Sequence, residues 1–244
     1  MELNEEVAEV LGMFAADGCL QEKYLCMWGN IFEDKEYYDT IVCPLFSKVF
    51  KRKVIAHEKK SNGVYGFYLC NINSVNYMKD IGFTRNKTLN VSVPKIILNS
   101  RDLNIFAAFI RGFSDCDGCL SFMKRKGKYS EFKKQFPTYP RITMGVISFD
   151  IIRDISLMLK KLEINHTTHE YKSNREGEHR VYTISVRGIK AVETWIKKIG
   201  FHNTSKTSRY ELWKQFGMCP AQTNFEQRKK MLSGELNPFS FTNP

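Results

Sequence analysis

Val10-Leu11-Gly12-Met13-Phe14-Ala15-Ala16-Asp17-Gly18-Cys19-Leu20 returns later as Ile110-Arg111-Gly112-Phe113-Ser114-Asp115-Cys116-Asp117-Gly118-Cys119-Leu120, at a constant offset of 100. Gly12/Gly112, Asp17/Asp117, Gly18/Gly118, Cys19/Cys119 and Leu20/Leu120 are identical pairs, and Val10/Ile110 are both apolar. Asn4/Asn104 and Ala8/Ala108 keep the same register upstream. A repeated apolar motif that ends in a carboxylate predicts a pseudo-twofold protein with one acid from each half near its axis.

The repeat continues outward from the motifs. Glu58-Lys59-Lys60-Ser61-Asn62 recurs as Glu170-Tyr171-Lys172-Ser173-Asn174, Val64-Tyr65 as Val181-Tyr182, Ile81-Gly82-Phe83 as Ile199-Gly200-Phe201, and Lys87-Thr88 as Lys206-Thr207. The offset grows along the chain, as loop insertions in the second half would require; Arg175-Glu176-Gly177-Glu178-His179-Arg180 reads as one such insertion. The division expected is an N-terminal half over 1–92, a connector over 93–101, a C-terminal half over 102–207 and a tail over 208–244.

Each half reads as αββαββα. Asn4 is a good N-cap, Glu5 and Glu6 suit the first turn, and Val7, Val10, Leu11 and Phe14 recur at helical spacing up to Asp17-Gly18. Strands are expected over 20–27 and 31–33 around Gly29-Asn30, then a helix from an Asp34 N-cap to Val49. A hairpin over 54–60 and 64–71 turns at Ser61-Asn62-Gly63, and a helix over 74–81 closes the half. In the second half, strands are expected over 120–126, 141–148, 166–171 and 181–186, with a helix over 150–162. The tail has no counterpart: a helix over 209–216 should end before Cys219-Pro220, and the Asn-Pro-Phe-Ser end should fray.

Composition narrows the partner. The 244 residues carry a formal charge of +11 and are 43% hydrophobic and 13% aromatic, enough for a real core and suited to a polyanion such as nucleic acid. Seven cysteines, an odd number, do not read as a disulfide framework. The acidic N-terminus is unlike a signal peptide, and the apolar run Ile105–Ile110 is far short of a membrane span. An intracellular protein that is not secreted and has no membrane association is expected.

The motif helices carry small residues on one face: Ala8, Gly12 and Ala15/Ala16 in one, Ala108, Gly112 and Cys116 in the other. Two such faces can pack backbone to backbone. That packing brings together two carboxylates and the negative ends of two helix dipoles, which should raise one acid's pKa in the absence of a counter-charge. Mg²⁺, held by one or two carboxylates plus phosphate oxygens, resolves the conflict and is suited to phosphodiester chemistry. Cys116-x-x-Cys119 lacks a second ligand pair for zinc, and His166 and His169, three apart on an expected strand, point to opposite faces.

From Glu5 to about Thr207 the chain resembles the LAGLIDADG homing endonucleases in their single-chain, two-motif form. The resemblance rests on both motifs, their spacing and the downstream Ile-Gly-Phe…Lys-Thr elements. It implies an α+β fold with the two motif helices at a pseudo-twofold interface and two antiparallel sheets forming a saddle on DNA. It implies a monomeric, site-specific double-strand DNA endonuclease of intron-homing type, cutting each strand across the minor groove to leave 3′ overhangs on a long asymmetric target. Asp17 and Asp117 become the metal ligands, with Mg²⁺ as cofactor, Mn²⁺ able to substitute, and Ca²⁺ binding without supporting cleavage. Ala15 stands where the family pattern has the acid kept as Asp115, a position that is usually structural. Lys87 and Lys206 match the basic residues near the scissile phosphates.

Gln21, Lys23 and Leu25 in half one, and Ser121, Met123 and Arg125 in half two, lie an even number of residues from the motif acids, positions that face DNA in the family. Arg141, Thr143, His57, Lys59 and Arg180 extend that surface, while Lys51-Arg52-Lys53 and Lys133-Lys134 fit phosphate or water. The alternative is a binding protein on the same scaffold, either an RNA maturase acting on intron RNA or a non-cleaving DNA-binding protein. The Met1 start and the absence of a terminal His-Asn lead us to expect no intein origin.

Overall fold

The computed structural model describes residues 2–85, 89–124, 138–172 and 179–241. Lys87, Arg125, Lys133 and Lys134 lie outside the described residues. Helix α1 (Glu5–Asp17) begins at Asn4, whose side-chain oxygen accepts from the Val7 amide at 2.9 Å, with Glu5 and Glu6 at the positive helix end. Its counterpart α6 (Leu103–Asp117) is capped by Asp102, which accepts from the Asn104 amide.

Each motif helix feeds a four-stranded antiparallel sheet. The first comprises β1 (Cys19–Leu20), β2 (Leu25–Asn30), β3 (His57–Lys59) and β4 (Val64–Leu69), in spatial order β1-β2-β4-β3. The second comprises β5 (Gly118–Met123), β6 (Tyr139–Val146), β7 (Thr167–Tyr171) and β8 (Val181–Arg187), in the equivalent order β5-β6-β8-β7. The shared strand order is the duplication expressed in space.

Register assigns the faces. Leu25 pairs with Leu69 and Met27 with Phe67 in the first sheet; Ile142 pairs with Val186 and Met144 with Ile184 in the second. These residues are buried under the helices. The first sheet is covered by α2 (Lys35–Tyr37), a wide π-helical turn Tyr38–Val42, α3 (Cys43–Phe50) and α4 (Ile72–Ile81). Pro44 has no amide to donate into a regular helix, and the wide turn directly precedes it. The second sheet is covered by α7 (Phe149–Lys161) and α8 (Ile189–Lys198). Between the halves, α5 (Lys95–Leu98) follows a stretch bonded to half two: the Ser148 hydroxyl donates to Val91 O at 2.6 Å, and the Val93 amide to Asp154. Among the described residues no helix is long and apolar enough to cross a membrane.

The two halves meet along α1 and α6. A Cβ built on Gly12 would lie 2.0 Å from Phe109 O, and one on Gly112 would lie 2.1 Å from Glu9 O. The glycines are therefore required for close approach, each bringing its helix against the other's backbone.

Three local expectations are corrected. The strand expected over 20–27 is broken by a tight turn in which the Gln21 amide donates to Tyr24 O. Residues 31–34 form a turn rather than a strand, because Asn30 Oδ1 accepts from the Phe32 and Glu33 amides, and Asp34 Oδ2 accepts from the Asn30 amide. The tail is packed rather than frayed: α9 (Thr204–Phe216), α10 (Phe225–Leu232) and a 3₁₀ turn Pro238–Phe241 enclose a small core of Leu212, Cys219 and Met231.

Candidate active site at the helix interface

Packing α1 on α6 places both motif acids at helix C-termini on the same side of the interface. Asp17 is half-buried and accepts a hydrogen bond from the Cys116 thiol, whereas Asp117 is exposed. Burial, then the charge of Asp117, with Asp34 adding, push the Asp17 carboxyl up to about 7; the Cys116 bond and the Lys206 charge pull the other way. The second carboxylate thus adds to a rise that burial dominates. Tyr38, on the wide turn, is buried close enough for the charges of Cys116, Asp17 and Asp34 to push its hydroxyl up further than burial alone, and the hydroxyl has no hydrogen-bond partner.

A sign follows for stability. A carboxyl raised in the fold favours the native state while protonated, so its contribution is full below the unfolded value near 3.8 and is lost as pH rises through about 7. In the absence of divalent ions, Asp17→Asn should raise the melting temperature more at pH 8 than at pH 5, where only part of that contribution has been lost. Equal shifts at both pH values, measured by scanning calorimetry, would contradict that environment for Asp17.

A strap from the second half runs from the middle of the helix pair to the last turn of α6. Arg111 Nη2 donates to Glu9 Oε2 at 2.7 Å and Nη1 to Ile199 O, while His202 Nδ1 lies 2.6 Å from Glu9 Oε1. Burial opposes ionisation of Glu9, but the bonds from His202 and Arg111 outweigh it and hold the carboxyl below its ordinary range. The His202 amide then donates to Asp115 Oδ2 at 2.8 Å, and Asn203 Nδ2 donates to both Asp115 O and Asp34 Oδ1. Asp115 is therefore a structural anchor, consistent with the tolerance of Ala15 at the matching position. Lys206 lies at the start of α9, only 9% exposed, with Nζ donating to Ser114 O at 2.7 Å and to Asp115 O. The resemblance matches Lys206 to a basic residue near the scissile phosphate; in the structure its ammonium sits under the C-terminus of α6, where a positive charge complements the negative end of the helix dipole.

Among the described residues no three His, Cys, Asp or Glu side chains gather closely enough to hold a metal alone. Two carboxylates, one deprived of solvent and crowded by like charge, fit a hard divalent ion that completes its shell with water and phosphate oxygens.

The open faces of the sheets carry most of the residues singled out from sequence. In the second sheet, Ser121, Arg141 and Arg187 are direct neighbours across three strands, as are Cys119, Thr143 and Ser185, and Met123 lies opposite Tyr139. In the first, His57 and Lys59 lie beside Trp28 and Tyr68: the His57 and Tyr68 rings stack at 5.8 Å, and Lys59 Nζ sits 3.9 Å from the Trp28 ring centre. Gln21 and Lys23 occupy the turn after β1, and Gln21 Oε1 accepts from Arg85 Nη2. Two assignments fail. Leu25 is fully buried, because the turn at 21–24 ends the alternation counted from Asp17. Arg180 pairs with Glu170, whose strand partner Tyr182 packs its ring on Phe149 of α7, the helix-covered side. Arg187, Tyr38 and the Asp34–Asn203 contact were missed; only the register and the chain reversal bring them into view.

Residues 104–200 match the family described as LAGLIDADG-like domain. The fold resembles that of the homing endonuclease I-DmoI, solved as mesophilic variants, with a TM-score of 0.54 at 13% identity over 80% of this chain and 90% of that one. It also resembles the LAGLIDADG meganuclease I-AabMI bound to uncleaved DNA (TM-score 0.53, 11% identity, 87% and 90% covered) and the N-terminal LAGLIDADG domain of DUF199/WhiA (0.51, 14%, 80% and 81%). Among curated proteins, 24% identity extends over 207 residues of the replicative DNA helicase DnaB of Rhodothermus marinus and over 206 residues of the replication factor C small subunit of Methanocaldococcus jannaschii. The matches cover 81% and 84% of this chain but only 20% and 10% of those proteins. Residues 104–200 thus match the LAGLIDADG-like domain family, and the chain as a whole shares its fold with the LAGLIDADG endonuclease structures I-DmoI and I-AabMI.

Proposed function

We propose that this chain is a monomeric, site-specific double-strand DNA endonuclease of intron-homing type, using Mg²⁺ to hydrolyse one phosphodiester in each strand. The observation that carries the reading is the placement of Asp17 and Asp117 at the C-termini of two helices packed backbone to backbone, near enough for the Asp117 charge to add to the rise of the Asp17 carboxyl. The support from relatives is structural; I-DmoI has been solved in complex with DNA and Mn, and with DNA and Ca.

Asp17 and Asp117 would hold the cation, and a cation bound there supplies charge neutralisation and Lewis acidity at the phosphodiester. Asp17 gives up its proton as the ion is taken up. Lys206 acts as a positioning residue, fixing the last turn of α6 and so the direction in which Asp117 points, while its field favours ionised Asp17. Gln21, Lys23, His57 and Lys59 from one half, and Ser121, Met123, Arg141 and Thr143 from the other, face the duplex.

With a charge of +11, binding should release counterions. Affinity for duplex DNA should fall by about a thousandfold or more between ~50 and ~200 mM salt, as read by fluorescence anisotropy. A flat response would count against the paired sheets as the binding surface. The activity itself is tested by Mg²⁺-dependent cutting of a randomised duplex library followed by sequencing of the ends. One long asymmetric consensus with 3′ extensions is the expected product. Tight binding of intron RNA with no cutting of any duplex would instead favour the maturase reading.

A further inference from the structure

Arg141 and Arg187 are direct partners on the two central strands of the second sheet. Like charges placed opposite each other destabilise an antiparallel pair, so a neutralising acceptor is expected beside them. None is present among the described residues. Arg141 Nε is buried without a hydrogen bond, and neither guanidinium has a carboxylate partner. Arg85, Arg111, Arg153, Arg180 and Arg228 are all paired with Asp or Glu.

Their neighbours on the same face bear hydroxyls: Ser121 beside Arg141, with Thr143 and the buried Ser185 two residues away. A guanidinium presents a planar fork of donors, and guanine presents N7 and O6 as adjacent acceptors in the major groove. The first sheet has no equivalent. Its open face holds Trp28, Tyr68 and His57, and Lys59, on the edge strand β3, already lies over the Trp28 and Tyr68 rings.

We propose, on the reading of this chain as a DNA endonuclease, that Arg141 and Arg187 are specificity-determining residues that read guanine, and only in the half of the target beneath the second sheet. Ser121, level with the pair, is four residues beyond Asp117 on β5, or about 13 Å of strand. The guanines therefore lie within roughly four base-pair steps of the cut on that side.

The test is binding of the library-selected duplex, at fixed salt, by the parent, Arg187→Ala, Arg187→Lys and Arg141→Ala. Circular dichroism checks that each is folded, and exposed Arg187 keeps the test valid should Arg141→Ala fail to fold. Replacing the G·C pair by A·T should weaken the parent by about tenfold to a hundredfold. Arg187→Ala should bind both duplexes alike, and Arg187→Lys should restore little of the difference. Equal weakening of every duplex by Arg187→Ala would make it a phosphate contact and overturn the proposal, as would selected targets lacking guanine on that side. Salt-insensitive or absent duplex binding by the parent would instead overturn the underlying DNA reading, and the proposal with it.

Discussion

Gly12→Ala and Gly112→Ala should each destabilise the protein by about 2 kcal/mol or more. Overpacking typically costs about 1–3 kcal/mol, and the upper end applies because the obstacle is backbone: Phe109 O at 2.0 Å and Glu9 O at 2.1 Å from the new Cβ. Helix propensity returns roughly 1 kcal/mol of that cost. The helices must then separate, and the acids at their ends separate with them. Each variant should therefore lower both melting temperature and DNA cleavage, although neither glycine touches the reacting groups. A melting temperature within a degree of the parent for both variants would contradict the close packing of α1 on α6.

Arg228→Ala should cost a similar or larger amount through a different route. Arg228 is fully buried, and its guanidinium donates to Glu33, Ser205 Oγ, Ser208 Oγ and Thr223 O, joining the tail, the first half and the helix that carries Lys206. Burial pushes its pKa down, with the Arg209 charge adding, while Glu33 pulls it back. The Phe225 amide also donates to Glu33 Oε1 at 3.0 Å. Removing one partner of such a pair costs about 3–5 kcal/mol, and the lower end suits Glu33, which keeps some solvent contact. For a chain of this size, a loss of about 3 kcal/mol lowers the melting temperature by roughly 6–12 °C. Limited proteolysis should then cut near Gly217. Unchanged stability with an intact tail would show that the network does not hold α10 in place.

The motif pair was legible because identity in register survives as symmetry in space. Asp17, Asp117, Gly12 and Gly112 fall where the repeat and the small-residue faces required, and the raised carboxyl was expected from two acids and two helix ends converging, although burial proves the larger cause. Legibility stops where geometry depends on distant chain. The alternation that put Leu25 on the open face holds only along an unbroken strand, and the turn at Gln21–Tyr24 breaks it. Arg187 lies one residue past the strand end expected at 186. The buried seat of Lys206 depends on carbonyls about ninety residues away in sequence, at Ser114 and Asp115. Arg228 has no repeat counterpart, so nothing in the sequence connects it to Glu33.

The most direct test of the central claim uses the library-selected target in supercoiled plasmid, with Mg²⁺, cut by the parent and by Asp17→Asn, Asp117→Asn and the double variant. The parent should linearise the plasmid, and the folded double variant should neither nick nor linearise it. Linear product from that double variant at the parent's rate would show that the two acids at the helix interface are not the catalytic centre.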